Sequence, residues 1–328
     1  MEEKDGRRMD RGEVTMRKQE EEEGREHLSL KGNNLEKLYG AITALPCLRS
    51  LNVRRNKLKK SGIPSDLFEM DDLTTLDFSH NSLSEIPEGL EEAKSLLVLN
   101  LSDNYIEEIP AQVFVNCTDL LYLNVGDNRL ETFPPQIRRL VHLQTLVLNN
   151  NPLTHFQFRQ LPSLVALQTL HMRATQRSPS NLPASLENLT NLADVDLSHN
   201  NLDKIPDCIY TLSNLKRLNM SDNAITEISV AIENWSKLEV LNMCRNQLTA
   251  LPLQICKLET LRRLMVNENQ LDFEGIPSGI GKIVGLEMFA AAHNRLEMIP
   301  EGLCRYVHHC TSVVILFNQN IVRVIYCS

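Results

Sequence analysis

Three places in this sequence hold side chains able to do chemistry. Cys304, His308, His309 and Cys310 gather thiols and imidazoles, the usual ligands of zinc, within seven residues. Their spacing matches no standard finger, and a solvated or partly buried tail accounts for them with less. Gly275, Gly279, Gly281, Lys282 and Gly285 invite a phosphate-loop reading. The spacing fits neither GxxxxGK[ST], because Ile283 follows Lys282, nor GxGxxG, because three residues separate Gly281 from Gly285. Cys244 falls at an open-side position of its strand, but no histidine in the same unit would activate it as a nucleophile, so it reads as a structural thiol. The remaining chemistry is a scatter of carboxylates, among them Asp77, Asp103, Asp127, Asp194, Asp196 and Asp222, and the regularity of their placement says more than their acidity.

That regularity belongs to a repeat, LxxLxLxxNxL, clearest as Leu48-Arg-Ser-Leu51-Asn-Val53-Arg-Arg-Asn56-Lys-Leu58. The asparagine returns as Asn33, Asn56, Asn81, Asn104, Asn128, Asn151, Asn200, Asn223, Asn246, Asn269 and Asn294, with Thr175 in the slot between Asn151 and Asn200. Steps of 23 to 25 residues over twelve units fall in the period range of leucine-rich repeats. Alternation such as Leu76 and Phe78 predicts a short strand with one buried face, and successive copies predict a parallel sheet. Where the chain leaves the strand its backbone groups lose their ladder partners. An inward asparagine amide can donate to and accept from them, so the repeated slot predicts a hydrogen-bond ladder. Thr175 has a shorter side chain with one donor, and Gln176-Arg-Ser-Pro-Ser-Asn181 is rich in loop formers, which predicts a kink or loop there.

Ile-Pro or Leu-Pro often follows the asparagine, as at Ile86-Pro87, Ile109-Pro110, Leu182-Pro183, Ile205-Pro206, Leu251-Pro252, Ile276-Pro277 and Ile299-Pro300. Proline lacks an N–H but suits a helix's first turn. After Pro206, Ile209, Leu212 and Leu215 recur every three residues, predicting a short helix or 3₁₀ segment on the outer side. The expected fold is therefore α/β, a horseshoe solenoid with a concave parallel sheet and short convex helices or 3₁₀ turns. Residues 27–304 form the repeat domain. Residues 1–26, with seven basic and ten acidic side chains, cannot bury a core and read as a disordered charged tail. In residues 305–328 the pattern decays, although Val313, Ile315 and Asn318 keep the motif's spacing and suggest one irregular further strand.

A formal charge of −8 argues against nucleic acid, whose affinity comes from clustered Lys and Arg. The eight cysteines lack a disulfide framework and suit reduced thiols in cytosol or nucleus. The start MEEKDGRRMDRGEV has no signal-peptide core, and no later run approaches 18 apolar residues, so neither secretion nor membrane insertion is expected. Sequons such as those at Asn116 and Asn188 then read as accidents of an asparagine-rich repeat. No cofactor, metal or catalytic set is expected. An open sheet supplies no enclosed pocket to tune its carboxylates, so function should lie in binding protein partners across the concave face. The motif places Asp77, Asp103, Tyr122, Asp127, His171, Arg173, Asp194, Asp196, Arg217, Asp222 and Arg245 there, together with Arg54, Arg55, His80, Asn100, Asn149, His199, Arg263 and Glu268.

DDLTTLDFSHNSLSEIP, RRLVHLQTLVLNNNPL and ALQTLHMRATQRSPSNLP, the last containing the irregular Thr175 unit, resemble the leucine-rich-repeat half of the flightless family over about residues 27–304. Members of that family join such a horseshoe to gelsolin-like repeats, which bind actin. The resemblance implies a non-enzymatic scaffold in cytoplasm and nucleus, docking coiled-coil or Ras-like signalling partners and actin regulators. The alternative is a Ras-group repeat scaffold with no actin role, which the Ile-Pro subtype alone supports. No gelsolin-like stretch occurs in the 328 residues, so severing or capping of actin is not carried over.

Overall fold

The computed structural model describes residues 24–153, 158–176, 182–272, 274–297, 314–317 and 320–322. Most of the charged tail, the loop expected after Gln176 and the Cys304 to Cys310 cluster lie outside the described residues. One sheet runs through the molecule in chain order: β1 (His27–Ser29), β2 (Ser50–Asn52), β3 (Thr75–Asp77), β4 (Val98–Asn100), β5 (Tyr122–Asn124), β6 (Thr145–Val147), β7 (Thr169–His171), β8 (Asp194–Asp196), β9 (Arg217–Asn219), β10 (Val240–Asn242), β11 (Arg263–Met265), β12 (Met288–Ala290), β13 (Val314–Phe317) and β14 (Asn320–Val322). β1 to β13 are parallel, and the central residue of each repeat strand, Leu28, Leu51, Leu76 and so on to Phe289, lines up with its neighbour. The apolar motif residues before, within and after the strand, such as Leu120, Leu123, Val125 and Leu130, are buried in one continuous core. Each unit thus buries its apolar side against two neighbours, which is how a solenoid of short strands becomes stable.

The outer side is built mostly of 3₁₀ turns, including Pro135–Arg139, Asp207–Thr211, Val230–Asn234, Leu253–Lys257 and Ser278–Lys282, with an α-helix, α1 (Ala111–Asn116), in the unit after Asn104. The prolines stand one place earlier than a first-turn reading puts them: Pro64, Pro110, Pro206, Pro252 and Pro277 are the residues just before the turn. Their fixed φ suits that extended position, and their carbonyls close the first turn, as when Ile209 N–H donates to Pro206 O at 2.9 Å. Trp235 fills a slot that is leucine in neighbouring units. Its ring stacks on Tyr210 at 4.9 Å and its Nε1–H donates to Ile209 O at 3.1 Å, so the indole is buried without an orphaned donor.

Two of the 25-residue steps, Asn56 to Asn81 and Asn269 to Asn294, carry Ser-Gly-Ile-Pro and Glu-Gly-Ile-Pro at one place in the unit. Gly62 O and Gly275 O accept from Leu38 N–H and Leu251 N–H, each at 2.7 Å, and a Cβ on either glycine would collide with the carbonyl of Glu36 or Thr249. Gly275 is therefore required by close backbone packing, which replaces the phosphate-loop reading with a structural one.

At the far end β13 pairs with β12 so that Ile315 lies opposite Phe289. This puts Ile315 on the strand's central apolar slot, the one Phe289 fills in the preceding unit, two residues away from the register that Val313, Ile315 and Asn318 suggested; Val313 and Asn318 lie outside the described residues. Val-Val-Ile-Leu-Phe is apolar without interruption, so alternation cannot choose between registers two apart. Asn320, where a ladder residue would then fall, instead opens β14, which returns antiparallel along β13.

Candidate partner-binding face

The repeated asparagine behaves alike in nearly every unit. Asn104 Nδ2 donates to Leu101 O at 3.0 Å in its own unit and to Phe78 O at 3.1 Å in the preceding one, while its Oδ1 accepts Leu83 N–H at 3.0 Å. Asn56, Asn81, Asn128, Asn151, Asn200, Asn223, Asn246, Asn269 and Asn294 repeat this bridging, and Asn33 Nδ2 donates to Leu30 O in the first unit. Thr175 substitutes with what it has. Its Oγ1–H donates to Met172 O at 2.9 Å and its N–H to Asn200 Oδ1 at 3.0 Å. β7 and β8 stay in register across it, and among the described residues the departure from most other units is Gln176, which takes a positive φ just after the ladder position.

Immediately before each ladder residue the chain enters the left-handed region: Arg55, His80, Asp103, Asp127, Asn150, Ala174, His199, Asp222, Arg245, Glu268 and His293 have φ of 51 to 56 degrees or 57 for Asp222, and Gly32 has 73. Asn, Asp and His tolerate this region better than other side chains, because a short polar group bonds locally. Eight of the residues assigned to the concave face, Arg55, His80, Asp103, Asp127, His199, Asp222, Arg245 and Glu268, occupy this slot.

A second ladder runs beside the first. The last residue of many strands accepts the N–H two places on: Asn52 from Arg54, Asp77 from Ser79, Asn100 from Ser102, Asn124 from Gly126, Asp196 from Ser198, Asn219 from Ser221 and Asn242 from Cys244, at 2.9 to 3.2 Å. Where that residue is His171 or Ala290, the preceding unit supplies the acceptor, Asn149 Oδ1 to Arg173 N–H and Asn267 Oδ1 to Ala292 N–H, both at 2.8 Å. Sequence reading missed this ladder, although its signal, Asn or Asp four places before the ladder asparagine, stands in the motif. Asp77 and Asp196 belong to it. Asp77 Oδ1 also accepts from Ser79 Oγ at 2.6 Å, and Asp196 Oδ2 accepts from Asn219 Nδ2 at 3.2 Å.

From β7 onward the charges of the open face are joined to one another. His171 Nε2 lies 3.4 Å from Asp194 Oδ1, and Arg217 places Nε and Nη2 each 2.8 Å from Asp194 Oδ2. Burial opposes the charge of Asp194, but the hydrogen bonds from His171 and Arg217 outweigh it and hold the carboxyl below its ordinary range. Asp222 sits between His199 at 3.3 Å and Arg245 at 3.3 Å, and Arg245 Nε continues to Glu268 at 3.1 Å. Hydrogen bonds to Asp222 and Glu268 push the Arg245 guanidinium upward. Burial pushes the Cys244 thiol up, which makes it a poorer nucleophile.

Around β4 to β6 the same positions are different. Leu97, Val98, Leu121, Tyr122 and Val147 are half-buried on the open side, with Val98 in register with Tyr122 and Val147 opposite Asn124, and sequence reading named only Tyr122 among them. The charges here lie along one margin: Asp103 is 3.2 Å from His80, whose Nε2 also lies 2.9 Å from Arg54, and Asp127 accepts from Asn150 at 2.7 Å. Among the described residues no group of acidic, histidine and cysteine side chains could hold a metal ion, and no helix is long and apolar enough to cross a membrane.

Comparison with known proteins places these features. Leucine-rich-repeat families match residues 94–153 and 182–225, and residues 72–93. The flightless-1 homolog of Homo sapiens is 68% identical over 244 residues, 74% of this chain and 19% of that protein. The Danio rerio homolog is 67% identical over 246 residues, 75% and 20%, and that of Caenorhabditis elegans 50% over 274, 84% and 22%. The chain therefore spans about a fifth of the length of these relatives. Among solved structures, an internalin of Listeria monocytogenes superposes with a TM-score of 0.71 at 24% identity, covering 90% of this chain and 88% of that one. A Leptospira interrogans leucine-rich-repeat protein gives 0.67 at 22%, covering 92% and 87%. These likenesses show the horseshoe fold.

Proposed function

This chain carries the leucine-rich-repeat region of the flightless family, and from that premise we propose that it is a non-enzymatic scaffold whose concave sheet docks signalling partners of coiled-coil or Ras-like type and links them to the actin cytoskeleton and its regulators, in the cytoplasm and nucleus. A protein-interaction role is what the repeat horseshoe and its relatives support. The observation that carries the finer reading is the similarity to flightless-1 homologues in three animals over 74% to 84% of the chain. Within the face we assign docking to Tyr122 with its apolar neighbours and to Asp103 and Asp127 on the margin, with Asp77, His171, Arg173, Asp194, Asp196, Arg217, Asp222 and Arg245 setting the charge pattern around them.

The test is a pull-down with the chain as bait, comparing it with an Asp103→Arg and Asp127→Arg double variant. Arg55 and Arg245 already occupy the same left-handed slot, so arginine is compatible with the backbone there. Charge reversal at Asp194 or Asp222 is a poorer probe, because it breaks ion pairs inside the face as well as contacts to a partner. Loss of the recovered partners from a folded variant supports concave docking, and unchanged recovery overturns it. Recovered signalling proteins without actin regulators would favour the Ras-group scaffold instead.

A further inference from the structure

Beside the open sheet, the residue that follows each ladder asparagine looks out of the flank of the solenoid. In four successive units this residue is Lys57, Ser82, Tyr105 and Arg129, and two places further on stand Lys59 and Ser84. The small serines leave a notch between a lysine wall and an aromatic wall, part of a groove of about 770 Å³ lined by Lys59, Lys60, Ser61, Ile63, Ser82 and Tyr105 among others. A second hollow of about 320 Å³ adjoins it, sharing Lys59, Ser61 and Ser82 and adding Lys37 and Lys57. Lys60 is committed to Glu85 at 2.6 Å. Among the described residues, Lys57 and Lys59 form no ion pair, and the hydroxyls of Ser61, Ser82 and Ser84 make no hydrogen bond. Tyr105 is 48% exposed, and Arg129 lies over its ring at 4.9 Å, which fixes the ring as the far wall of the notch.

We propose that this flank groove binds a phosphorylated segment of a partner protein, with the phosphate over the serine floor between Lys57 and Lys59 and the adjoining apolar side chain against Ile63 and Tyr105. A phosphoryl group brings close to two negative charges and three strong acceptors, which uncommitted ammonium groups and hydroxyls on three sides of a pocket satisfy. Two carboxylates, Glu36 and Glu88, line the hollows and interrupt the basic surface. A single phosphate needs only a local set of cations, whereas a nucleic acid or an anionic bilayer needs a continuous basic track. The groove lies apart from the concave face, so the proposal stands whether or not that face docks signalling proteins.

The probe is a degenerate peptide pool with a fixed central phosphoserine, titrated into the full chain by fluorescence anisotropy, beside the same pool after phosphatase treatment and vesicles of phosphatidylcholine with phosphatidylserine. The phosphorylated pool binds, inorganic phosphate competes, and the dephosphorylated pool and the vesicles are not retained. Lys57→Glu with Lys59→Glu weakens binding by about tenfold or more, the effect of losing charge-assisted contacts. Ser82→Leu fills the floor without changing charge and weakens binding comparably, with the unfolding midpoint of both variants unchanged. Equal binding of the dephosphorylated pool, indifference to both variants, or retention on vesicles alone overturns the proposal.

Discussion

Strands β4 to β6 and strands β7 to β11 share a fold, a register and both asparagine ladders, yet they finish the concave face in opposite ways. In the later units Asp194, Arg217, Asp222, Arg245 and Glu268 answer one another across a 23-residue step, so the charge of that surface is largely spent inside the molecule. In the earlier units Leu97, Val98, Leu121, Tyr122 and Val147 have no such partners to satisfy and present half-buried apolar area with carboxylates on its margin. Interfaces take their energy from centrally placed apolar and aromatic anchors, with charged groups contributing orientation. The difference teaches that the conspicuous charges of a repeat face are not the first place to look for its affinity.

The largest expected effect ignores the division. Asn128→Ala and Asn246→Ala each remove a buried amide bridging two units, and each should lower stability by about 2 to 4 kcal/mol in urea unfolding. A gap between them larger than about 1 kcal/mol would show that the two regions differ in their framework as well as their surface. Next comes Tyr122→Ala, which should reduce partner affinity by about 2 kcal/mol, roughly 30-fold, in a titration against a partner recovered by pull-down. If Arg217→Ala costs as much affinity as Tyr122→Ala, the contrast drawn above fails.

Smaller is the effect of Asp194→Asn, about 1 kcal/mol at neutral pH once the exposure of Arg217 is discounted. The folded carboxyl titrates below its ordinary value of 3.8, so its contribution is complete above that value and is lost as pH falls through the folded one. Denaturation between pH 5 and pH 2.5 should therefore fall more steeply for the parent chain than for the variant, and parallel curves would refute the assigned role. The smallest effect belongs to Arg245→Ala: its guanidinium lies in solvent, where water screens its pairs, and the unfolding midpoint should stay within error.

The period, the strand, the ladder and the substitution by Thr175 were legible because each is a local rule repeated many times. Slots whose occupant varies were not. The left-handed residue before the ladder is Gly, Arg, His, Asp, Asn, Ala or Glu, and no single residue type announces it. The second ladder hides where a neighbour supplies the acceptor, as Asn149 does for Arg173, because that hydrogen bond joins residues 24 apart. The ion pairs follow from charges one period apart once the register is known, which makes His171, Asp194 and Arg217 readable in retrospect. The register of β13 was illegible for the opposite reason, since a run of five apolar residues carries no alternation to read.

The glycines of the longer units have a consequence for the partner. Extra residues near Gly62 and Gly275 are stored on the flank, where backbones can approach closely, while the strands they connect keep their alignment. The open face is thereby a grating of uniform pitch, about 4.8 Å per strand, whatever the length of the loop behind it. Insertions change the thickness of the solenoid without putting its face out of phase, and a ligand spanning several units reads the same spacing from end to end.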